Sequence, residues 1–234
     1  MNLGGLPIIL QARMGSSRLP GKVLADLVGR TVFAHCVARL QRAGVGPVVL
    51  ATSDRPGDDP LVEAAECLGI RVVRGPEDDV LQRFALAADY LDARFFIRAT
   101  ADNPAVDIDA PARVGAAILA GGADRVVETG LPIGAAVEAV RVAALYQALA
   151  QTRGAYDREH VTPYIYRNPS RFLALAPEAP PALRRPDLRL TVDTADDLAF
   201  MRRVFERAAP AGETASLAEI IRSADAVGRP GQVA

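Results

Sequence analysis

Residues 7–22 read P-I-I-L-Q-A-R-M-G-S-S-R-L-P-G-K and give the strongest indication of the fold. Residues 7–10 are an apolar run too short for a helix, which predicts a short buried strand over residues 7–11. Residues 11–22 form the loop that follows it, with two glycines, two serines and three cations. Ligands of open parallel sheets bind beyond the carboxyl ends of the strands, where glycine lets backbone N–H groups approach a phosphate. The stretch therefore predicts a phosphate site in which Arg13, Arg18 and Lys22 neutralise the ligand.

This loop differs from two well-known phosphate-binding motifs. Five residues separate Gly15 from Gly21, and Val23 stands where a Walker A loop needs a metal-binding Ser or Thr. The G-x-G-x-x-G dinucleotide fingerprint is also missing from it. Composition alone leaves an ordinary charged surface loop as an open alternative.

Outward from the loop, short apolar runs alternate with stretches of helical period, the pattern of an α/β protein with a mostly parallel sheet. Further strands are predicted at residues 48–51, 71–73, 95–98, 125–128 and 188–192. Helices are predicted near residues 33–43, 60–68, 78–91, 110–119, 142–151, 160–167 and 194–205, with Thr31 and Thr194 as N-caps.

Length and composition limit the classes of protein that remain. A chain of 234 residues is expected to form one domain, with a looser region at residues 131–172 that predicts an inserted flap or subunit contact, and a frayed tail at residues 225–234. Lys and Arg total 27 against 28 Asp and Glu, so a nucleic-acid partner is not expected.

Cysteine content and hydropathy indicate the compartment. Cys36 and Cys67 are the only cysteines, which offers no disulfide framework and suits a reducing cytosol. The start of the chain lacks a signal-peptide pattern, and no run reaches the roughly 18 apolar residues that cross a bilayer. A cytoplasmic protein without a membrane partner is therefore expected.

The string at residues 11–22 strongly resembles the N-terminal signature of the cytidylyltransferase superfamily that makes CMP-activated sugar acids, and most closely its spore-coat polysaccharide branch. Further family-like blocks follow in the family's order: A-T-S-D at 51–54, P-E-D-D-V-L at 76–81, R-A-T-A-D-N-P at 98–104, R-E-H-V-T-P-Y-I at 158–165 and L-T-V-D-T at 190–194.

The resemblance implies a three-layer, Rossmann-like nucleotidyltransferase fold of the GT-A-like kind. It also implies that Arg13, Ser16, Arg18 and Lys22 hold the phosphates of CTP, and that Arg18 and Lys22 act in catalysis. The nucleotide site predicted from the same segment and its neighbours includes Gln11, Ala12, Gly15, Thr52, Ser53, Asp78 and Arg98.

Two aspartates are candidate ligands for the Mg²⁺ that nucleotidyl transfer requires. Asp102 and Asp193 each follow a predicted strand, so both are expected at the sheet edge that carries the loop. Their alignment with the family's metal-binding aspartates implies the same catalytic role here. Asp193 could instead cap the following helix and Asp102 could stabilise a turn, with Asp107 and Asp109 as nearby alternatives.

This sequence departs from the family beside the first of these carboxylates. The family has T-G-D-C-P, whereas Ala101 replaces the glycine and Asn103 the cysteine. The two replacements affect the prediction of the local backbone conformation and of the substrate more than the prediction that Asp102 binds the metal.

Base and acceptor contacts are assigned by position and by the resemblance. The base is expected against residues 51–54 and 75–81, although Asp78 could be a helix cap, and Arg98 could form a salt bridge rather than contact the nucleotide. Predicted acceptor contacts are Glu138, Arg158, Glu159 and His160, and His160 is a candidate base. A charged helix N-terminus is the alternative for the last three.

The leading prediction is a Mg²⁺-dependent transferase that moves CMP from CTP to a sugar, a sugar acid or a similar hydroxylated acceptor, with release of pyrophosphate. Transfer of GMP or UMP to a sugar 1-phosphate is the nearest rival, and a catalytically inactive nucleotide-binding homologue is the other. A homodimer formed through residues 131–172 is expected from the family.

Overall fold

The computed structural model describes residues 5–208 and 215–228, and over these ranges the chain forms an α/β fold built on a seven-stranded sheet. The strands are β1 (Ile8–Gln11), β2 (Asp26–Leu27), β3 (Arg30–Thr31), β4 (Val48–Ser53), β5 (Arg71–Gly75), β6 (Phe95–Thr100), β7 (Arg125–Val127), β8 (Glu138–Arg141) and β9 (Ala174–Leu175). The large sheet has the order β5-β4-β1-β6-β8-β7-β9, and β2 and β3 form a separate antiparallel pair.

The helices are α1 (Val32–Arg42), α2 (Asp59–Cys67), α3 (Val80–Tyr90), α4 (Ala110–Ala120), α5 (Val142–Gln151), α6 (Ala155–His160), α7 (Pro163–Arg167), α8 (Ala195–Ala208) and α9 (Leu217–Val227). None of the helices within the described ranges is long and apolar enough to span a membrane.

The central sheet is mostly parallel, as the sequence predicts. β1 pairs in parallel with β4 on one side and β6 on the other, and β4 pairs in parallel with β5. Only β8 runs against its neighbours among these seven strands. After β1 the chain places β4 and β5 on one side of that strand, and then crosses to place β6 on its other side. The strand order therefore reverses between β1 and β6, and open α/β sheets bind ligands at such a point.

Apolar side chains that alternate along the strands divide the core into two layers. Ile8 and Leu10 of β1 pack with the layer of α1, α2, α4, α8 and α9, whereas Ile9 packs with α3, α5 and α7 on the other face. Burial on both faces explains why these strands are continuously apolar. The three-layer architecture predicted from the sequence is confirmed.

Most predicted elements are present, with boundaries moved by a few residues. Thr31 caps α1, since its Oγ1 accepts a hydrogen bond from Ala34 N at 3.0 Å. Thr194 Oγ1 accepts one from Asp197 N at 3.2 Å at the start of α8, as predicted. Asp78 is not a helix cap: that position is taken by Asp79, whose carboxylate accepts from Gln82 N.

The strand predicted at residues 188–192 is wrong. Leu188, Leu190 and Val192 are buried, with Thr191 between the last two, but their backbone groups bond to loops. Leu190 N donates to Ile133 O at 2.7 Å, and Val192 N donates to Asp102 O at 2.8 Å. The segment is extended and carries one isolated β-bridge, between Ile133 and Arg189.

Five of these elements have no counterpart in the sequence prediction: β2, β3, β8, β9 and α9. β8 belongs to residues 131–172 and lies inside the sheet, between β6 and β7, so that region contributes to the main body as well as carrying α5, α6 and α7. Residues 225–227 close α9, and 229–234 lie outside the described residues.

Candidate active site

A cavity of about 350 Å³ lies at the carboxyl ends of β1 and β6, beside the reversal in strand order. It is lined by most of the residues predicted for the phosphates and the metal, together with two predicted acceptor residues. These lining residues are Gln11, Ala12, Arg13, Gly15, Ser16, Arg18, Lys22, Arg98, Asp102, Glu159, His160 and Asp193.

The cationic loop has a defined shape. Its two ends meet where Gly21 N donates to Met14 O at 3.1 Å, and Gly21 has a φ of 70°, which glycine adopts readily. Ser16 Oγ accepts a hydrogen bond from Leu19 N inside the loop. The turn ends in a short 3₁₀ helix, Lys22–Leu24, which begins with the lysine.

Lys22 joins the two predicted metal ligands. Its Nζ donates to Asp102 Oδ2 at 2.9 Å and to Asp193 Oδ1 at 2.8 Å. The two carboxylates, 91 residues apart in the sequence (193 minus 102), therefore face one another across a single ammonium group. The cationic loop and the acidic pair converge on one cavity.

The extended segment before Asp193 brings it to Asp102. Val192 N and Thr191 Oγ1 both donate to the backbone oxygen of Asp102, at 2.8 and 3.1 Å. Gly134 permits this approach, because a Cβ there would lie 2.9 Å from Thr191 N. Residues 188–192 do not pair as a strand of the sheet, and their hydrogen bonds to the backbone of Asp102 instead hold Asp193 beside it.

Asp193 is held ionised by its neighbours. Burial would raise its pKa, but the hydrogen bond and charge of Lys22, followed by the charges of Arg18 and Arg189, keep the pKa below the ordinary value. Arg18 Nη2 lies 3.0 Å from Asp193 Oδ1, and Arg189 contacts Oδ2. An ionised carboxylate is the form that binds a cation.

Asp102 and Asp193 fit the requirements of a Mg²⁺ site in their chemistry. Both offer hard oxygen atoms, and both contact the same ammonium group, so one small cation can reach both. Among residues 5–208 and 215–228 no cluster of three or more His, Cys, Asp or Glu could hold a metal. Magnesium is commonly bound by one or two carboxylates plus substrate phosphates and water, which agrees with a pair.

The alternative aspartates have other roles. Asp107 is buried, and its Oδ2 accepts from Arg113 Nη2 at 2.6 Å, in a network that includes Glu128. Asp109 immediately precedes α4, and its side chain makes no capping hydrogen bond. Neither lines the cavity that contains Lys22.

A second cavity, of about 550 Å³, adjoins the first and shares Arg98 and His160 with it. Glu138 is its central acid: Oε1 accepts from Arg125 Nη2 at 2.7 Å, and Oε2 accepts from Thr162 Oγ1 at 2.9 Å. Arg98 Nη1 lies 3.8 Å from Glu138 Oε2, and Arg98 Nη2 donates to Gln11 Oε1 at 3.2 Å. Arg98 therefore connects the second cavity to Gln11, the last residue of β1.

The charge on Glu138 is stabilised despite its burial. Burial would raise its pKa, but the charges of Arg98 and Arg125 and the hydrogen bonds from Arg125 and Thr162 lower it overall. Nε of Arg98 and Nε of Arg125 are buried and have no hydrogen-bond partner among the described residues. The second cavity is thus lined by two cations around one anion.

Several predicted contacts lie elsewhere. Thr52 and Ser53 are buried, and both hydroxyls donate to Asp58, so neither offers a free hydroxyl to a base. Arg158 donates hydrogen bonds to Asp79 Oδ2 at 2.7 Å and to the carbonyl of Leu149. Asp78 and Arg158 line a third cavity, of about 650 Å³, beside the segment that follows β5.

Sequence reasoning missed Asp58, Arg125 and Arg189. Asp58 stands in a run of two aspartates before Pro60, which indicates a helix start and not a contact with a distant loop. Arg125 and Arg189 lie in apolar stretches with no motif around them. No signal in the sequence distinguishes these positions from other surface charges.

Comparisons of sequence relate this chain to known proteins. The model of a family described as cytidylyltransferase matches residues 7–218. Spore coat polysaccharide biosynthesis protein SpsF of Bacillus subtilis is 35% identical over 86% of this chain and 86% of its own length. A 3-deoxy-manno-octulosonate cytidylyltransferase of Methylobacterium radiotolerans is 33% identical over 73% of this chain and 77% of its own.

A solved structure is similar over nearly the whole chain. The cytidylyltransferase from Leptospira borgpetersenii superposes with a TM-score of 0.90 at 24% identity, and the match covers 99% of both chains. At that level of identity the likeness shows the fold.

Proposed function

Since the chain belongs to the cytidylyltransferase family and is thereby a nucleotidyltransferase, we propose that it transfers CMP from CTP to a hydroxyl of a sugar or sugar acid and releases pyrophosphate. A relative at 33% identity is named for the transfer of a cytidylyl group to 3-deoxy-manno-octulosonate, a sugar acid. The acceptor is inferred from this relative and from the second cavity.

One observation carries the proposal: Lys22 of the cationic loop contacts both Asp102 and Asp193. A triphosphate has a charge near minus four, and its binding needs both positively charged side chains and ligands for a metal ion. Arg13, Arg18 and Lys22 supply the positive side chains of the same cavity, and the two aspartates supply the ligands.

Asp102 and Asp193 would hold Mg²⁺. When bound there, the ion would neutralise phosphate charge and polarise the phosphoryl group under attack. Lys22 would then donate to phosphate oxygens, because its ammonium group has three N–H donors and stands on a flexible chain of methylenes. Backbone N–H groups of the loop would contribute further hydrogen bonds to the phosphates.

The chemical step is an in-line displacement at the α-phosphorus. The acceptor oxygen forms a new bond to the phosphorus, the bond to the oxygen bridging the α- and β-phosphates breaks, and pyrophosphate departs with that bridging oxygen. His160 lines both cavities, so it is the candidate that takes the acceptor's proton. Positioning and charge stabilisation supply most of the rate.

The acceptor would occupy the second cavity. Arg98 and Arg125 give its lining positive charge, and Glu138 can accept from a hydroxyl. Tyr156 and Tyr166 provide aromatic surface at the same opening, which suits the apolar face of a sugar ring. The name of the SpsF relative supports a place in surface polysaccharide synthesis, which in turn suits a cytoplasmic enzyme.

Pyrophosphate release measured with each of the four ribonucleoside triphosphates and a panel of sugar acids and sugars tests this function. Turnover with CTP and an acidic sugar, and not with GTP or UTP, is expected. Turnover with GTP alone would refute CTP specificity. Tight CTP binding with no turnover for any acceptor would instead indicate a nucleotide-binding homologue.

The carboxylate pair is tested by substitution. Asp102→Ala and Asp193→Ala are each expected to lower kcat at least about a hundredfold, because each removes one of the two carboxylates that would hold the metal ion at the reacting phosphate. Asp109→Ala is the matched control, since its carboxylate is nearby in the sequence but outside the cavity. Circular dichroism should show that all three variants keep the fold. Rates close to wild type in the first two would remove their assigned roles.

A further inference from the structure

A buried carboxylate outside the cavity, Asp58, makes contact with the cationic loop. Asp58 follows β4 in the chain and is 4% exposed. Its Oδ1 accepts a hydrogen bond from Met14 N at 2.7 Å, across 44 residues of sequence. Met14 lies in the loop between Arg13 and Gly15, two of the residues that line the cavity.

The other oxygen of Asp58 is held by the end of β4. Its Oδ2 accepts from Thr52 Oγ1 at 3.0 Å, from Ser53 N at 3.1 Å and from Ser53 Oγ. An ionised carboxylate can accept all four of these hydrogen bonds, whereas an amide, in which an NH₂ donor replaces one oxygen, could not accept at both positions. Burial would raise the pKa of Asp58, but the bonds from Ser53, Met14 and Thr52 outweigh it and lower the pKa.

Met14 connects this anchor to the catalytic lysine. Its N–H is bound by Asp58, and its carbonyl accepts from Gly21 N at 3.1 Å, directly before Lys22. The two ends of the turn at residues 14–21 are therefore fixed to one residue, and that residue is fixed to β4. Displacement of Met14 would move the lysine away from Asp102 and Asp193.

A buried cation faces the same region. Arg83 of α3 is fully buried, and burial followed by the charge of Arg13 lowers its pKa, whereas the charge of Asp58 acts in the opposite direction. Its Nη1 donates to the carbonyls of Pro76 and Glu77. The negative charge of Asp58 therefore also offsets the repulsion between a buried guanidinium and Arg13 of the loop.

From these contacts we propose that Asp58 is a positioning residue that holds the phosphate-binding loop in the geometry required for the triphosphate. It touches neither the nucleotide cavity nor the second cavity, and it acts through Met14. The inference rests on the proposed function for the ligand it names, a nucleoside triphosphate. The part that concerns loop geometry stands on the contacts alone.

The test compares Asp58→Asn with Asp59→Asn. Asp59 is the adjacent residue and begins α2, and its carboxylate pairs with Arg74 at 2.7 Å on the surface. Asp59→Asn therefore makes the same chemical change as Asp58→Asn at a side chain that does not contact the cationic loop. Amide hydrogen exchange is measured for the loop in the absence of ligand. In Asp58→Asn the one remaining acceptor oxygen is expected to face the three donors at the Oδ2 position, which turns the NH₂ group towards the Met14 N–H. The Met14 amide should therefore exchange at least about tenfold faster in Asp58→Asn and unchanged in Asp59→Asn.

Kinetics provide the readout that a purely structural role would not give. Asp58→Asn should raise the KM for CTP about tenfold or more while the KM for the acceptor stays within twofold, since Arg98 and Glu138 do not depend on Met14. Equal losses in both KM values, or loop exchange like that of wild type, would overturn the proposal. The exchange experiment uses no nucleotide, so its outcome is independent of whether CTP is the substrate.

A second variant covers the case in which Asp58→Asn fails to fold. Ser53→Ala removes one donor to Oδ2 and leaves the charge and the Met14 bond in place. It should increase Met14 exchange by a few-fold, because the carboxylate loses one of its restraints. Unchanged exchange in Ser53→Ala would contradict the proposal.

Discussion

At the scale of single residues, Lys22 stands out because it is the only lysine in a chain with 27 Lys and Arg in total. An arginine-rich composition would place arginine at most basic positions, so one lysine indicates a site that needs an ammonium group. An ammonium is a compact point charge, whereas a guanidinium is a planar fork that suits bidentate contacts. The structure gives a reason, since Nζ contacts two separate carboxylates at 2.9 and 2.8 Å.

Lys22→Arg is therefore expected to lower kcat by about ten- to a hundredfold although the charge is kept, because a bidentate fork cannot reproduce two contacts from one nitrogen. Steady-state kinetics of pyrophosphate release measure the effect. Arg42→Lys, the reverse exchange at an exposed position of α1, serves as the control and should leave kcat unchanged. A Lys22→Arg enzyme as fast as wild type would show that charge alone suffices.

The same scale shows what the sequence could predict about the site. The sequence predicts Asp102 at the sheet edge because it follows β6, and parallel strands end at one edge. Asp193 lies beside it although residues 188–192 form no strand, because Val192 N donates to Asp102 O. Thr52 and Ser53 satisfy the same rule, yet their hydroxyls are used by Asp58. The end of a strand predicts where a residue lies, whereas the direction of its side chain depends on partners distant in the sequence.

At the scale of elements, the segment at residues 188–192 shows how alternation can mislead. An apolar residue at every second position indicates an extended backbone, and the backbone is extended there. Whether extended residues form a strand depends on what lies beside them, and here the neighbours are the loops at Ile133 and Asp102. β8 was missed for the opposite reason: four residues inside a loosely patterned region carry too little periodicity.

Helix α1 is an element whose start the sequence predicted correctly and whose energetics can be tested. Thr31→Ala removes the capping hydrogen bond to Ala34 N and should lower the free energy of unfolding by about 1 kcal/mol. Thr31→Ser keeps the hydroxyl and should lose less than half of that. Urea denaturation measures both, and turnover should stay unchanged because Thr31 lies outside both cavities. Equal losses in the two variants would assign the effect to the methyl group.

At the scale of the whole molecule, four of the eight large apolar side chains that are exposed among the described residues belong to β9 or to the segments around it. Tyr156 and Tyr166 lie within residues 131–172, and Leu173 and Leu175 flank or form the edge strand β9. A short edge strand bordered by exposed leucines and tyrosines resembles an association surface more than ordinary solvent-exposed sheet. The homodimer expected through residues 131–172 stays a prediction. We expect its contact at this patch, which extends past that region to Leu175 and borders the second cavity, since Tyr156, Tyr166 and Leu175 also line that cavity.

Light scattering tests that prediction with two matched charge insertions. Leu173→Glu places a carboxylate in the patch, and because burying an unpaired charge is costly, it should shift a dimer to monomer at micromolar concentration. Tyr90→Glu, at an exposed aromatic position where α3 ends, should leave the mass unchanged. Leu173 is 48% exposed and Tyr90 53%, so neither substitution disturbs a core and a difference between them reports on association. A wild-type monomer, or a dimer that tolerates Leu173→Glu, would place the contact elsewhere or remove it.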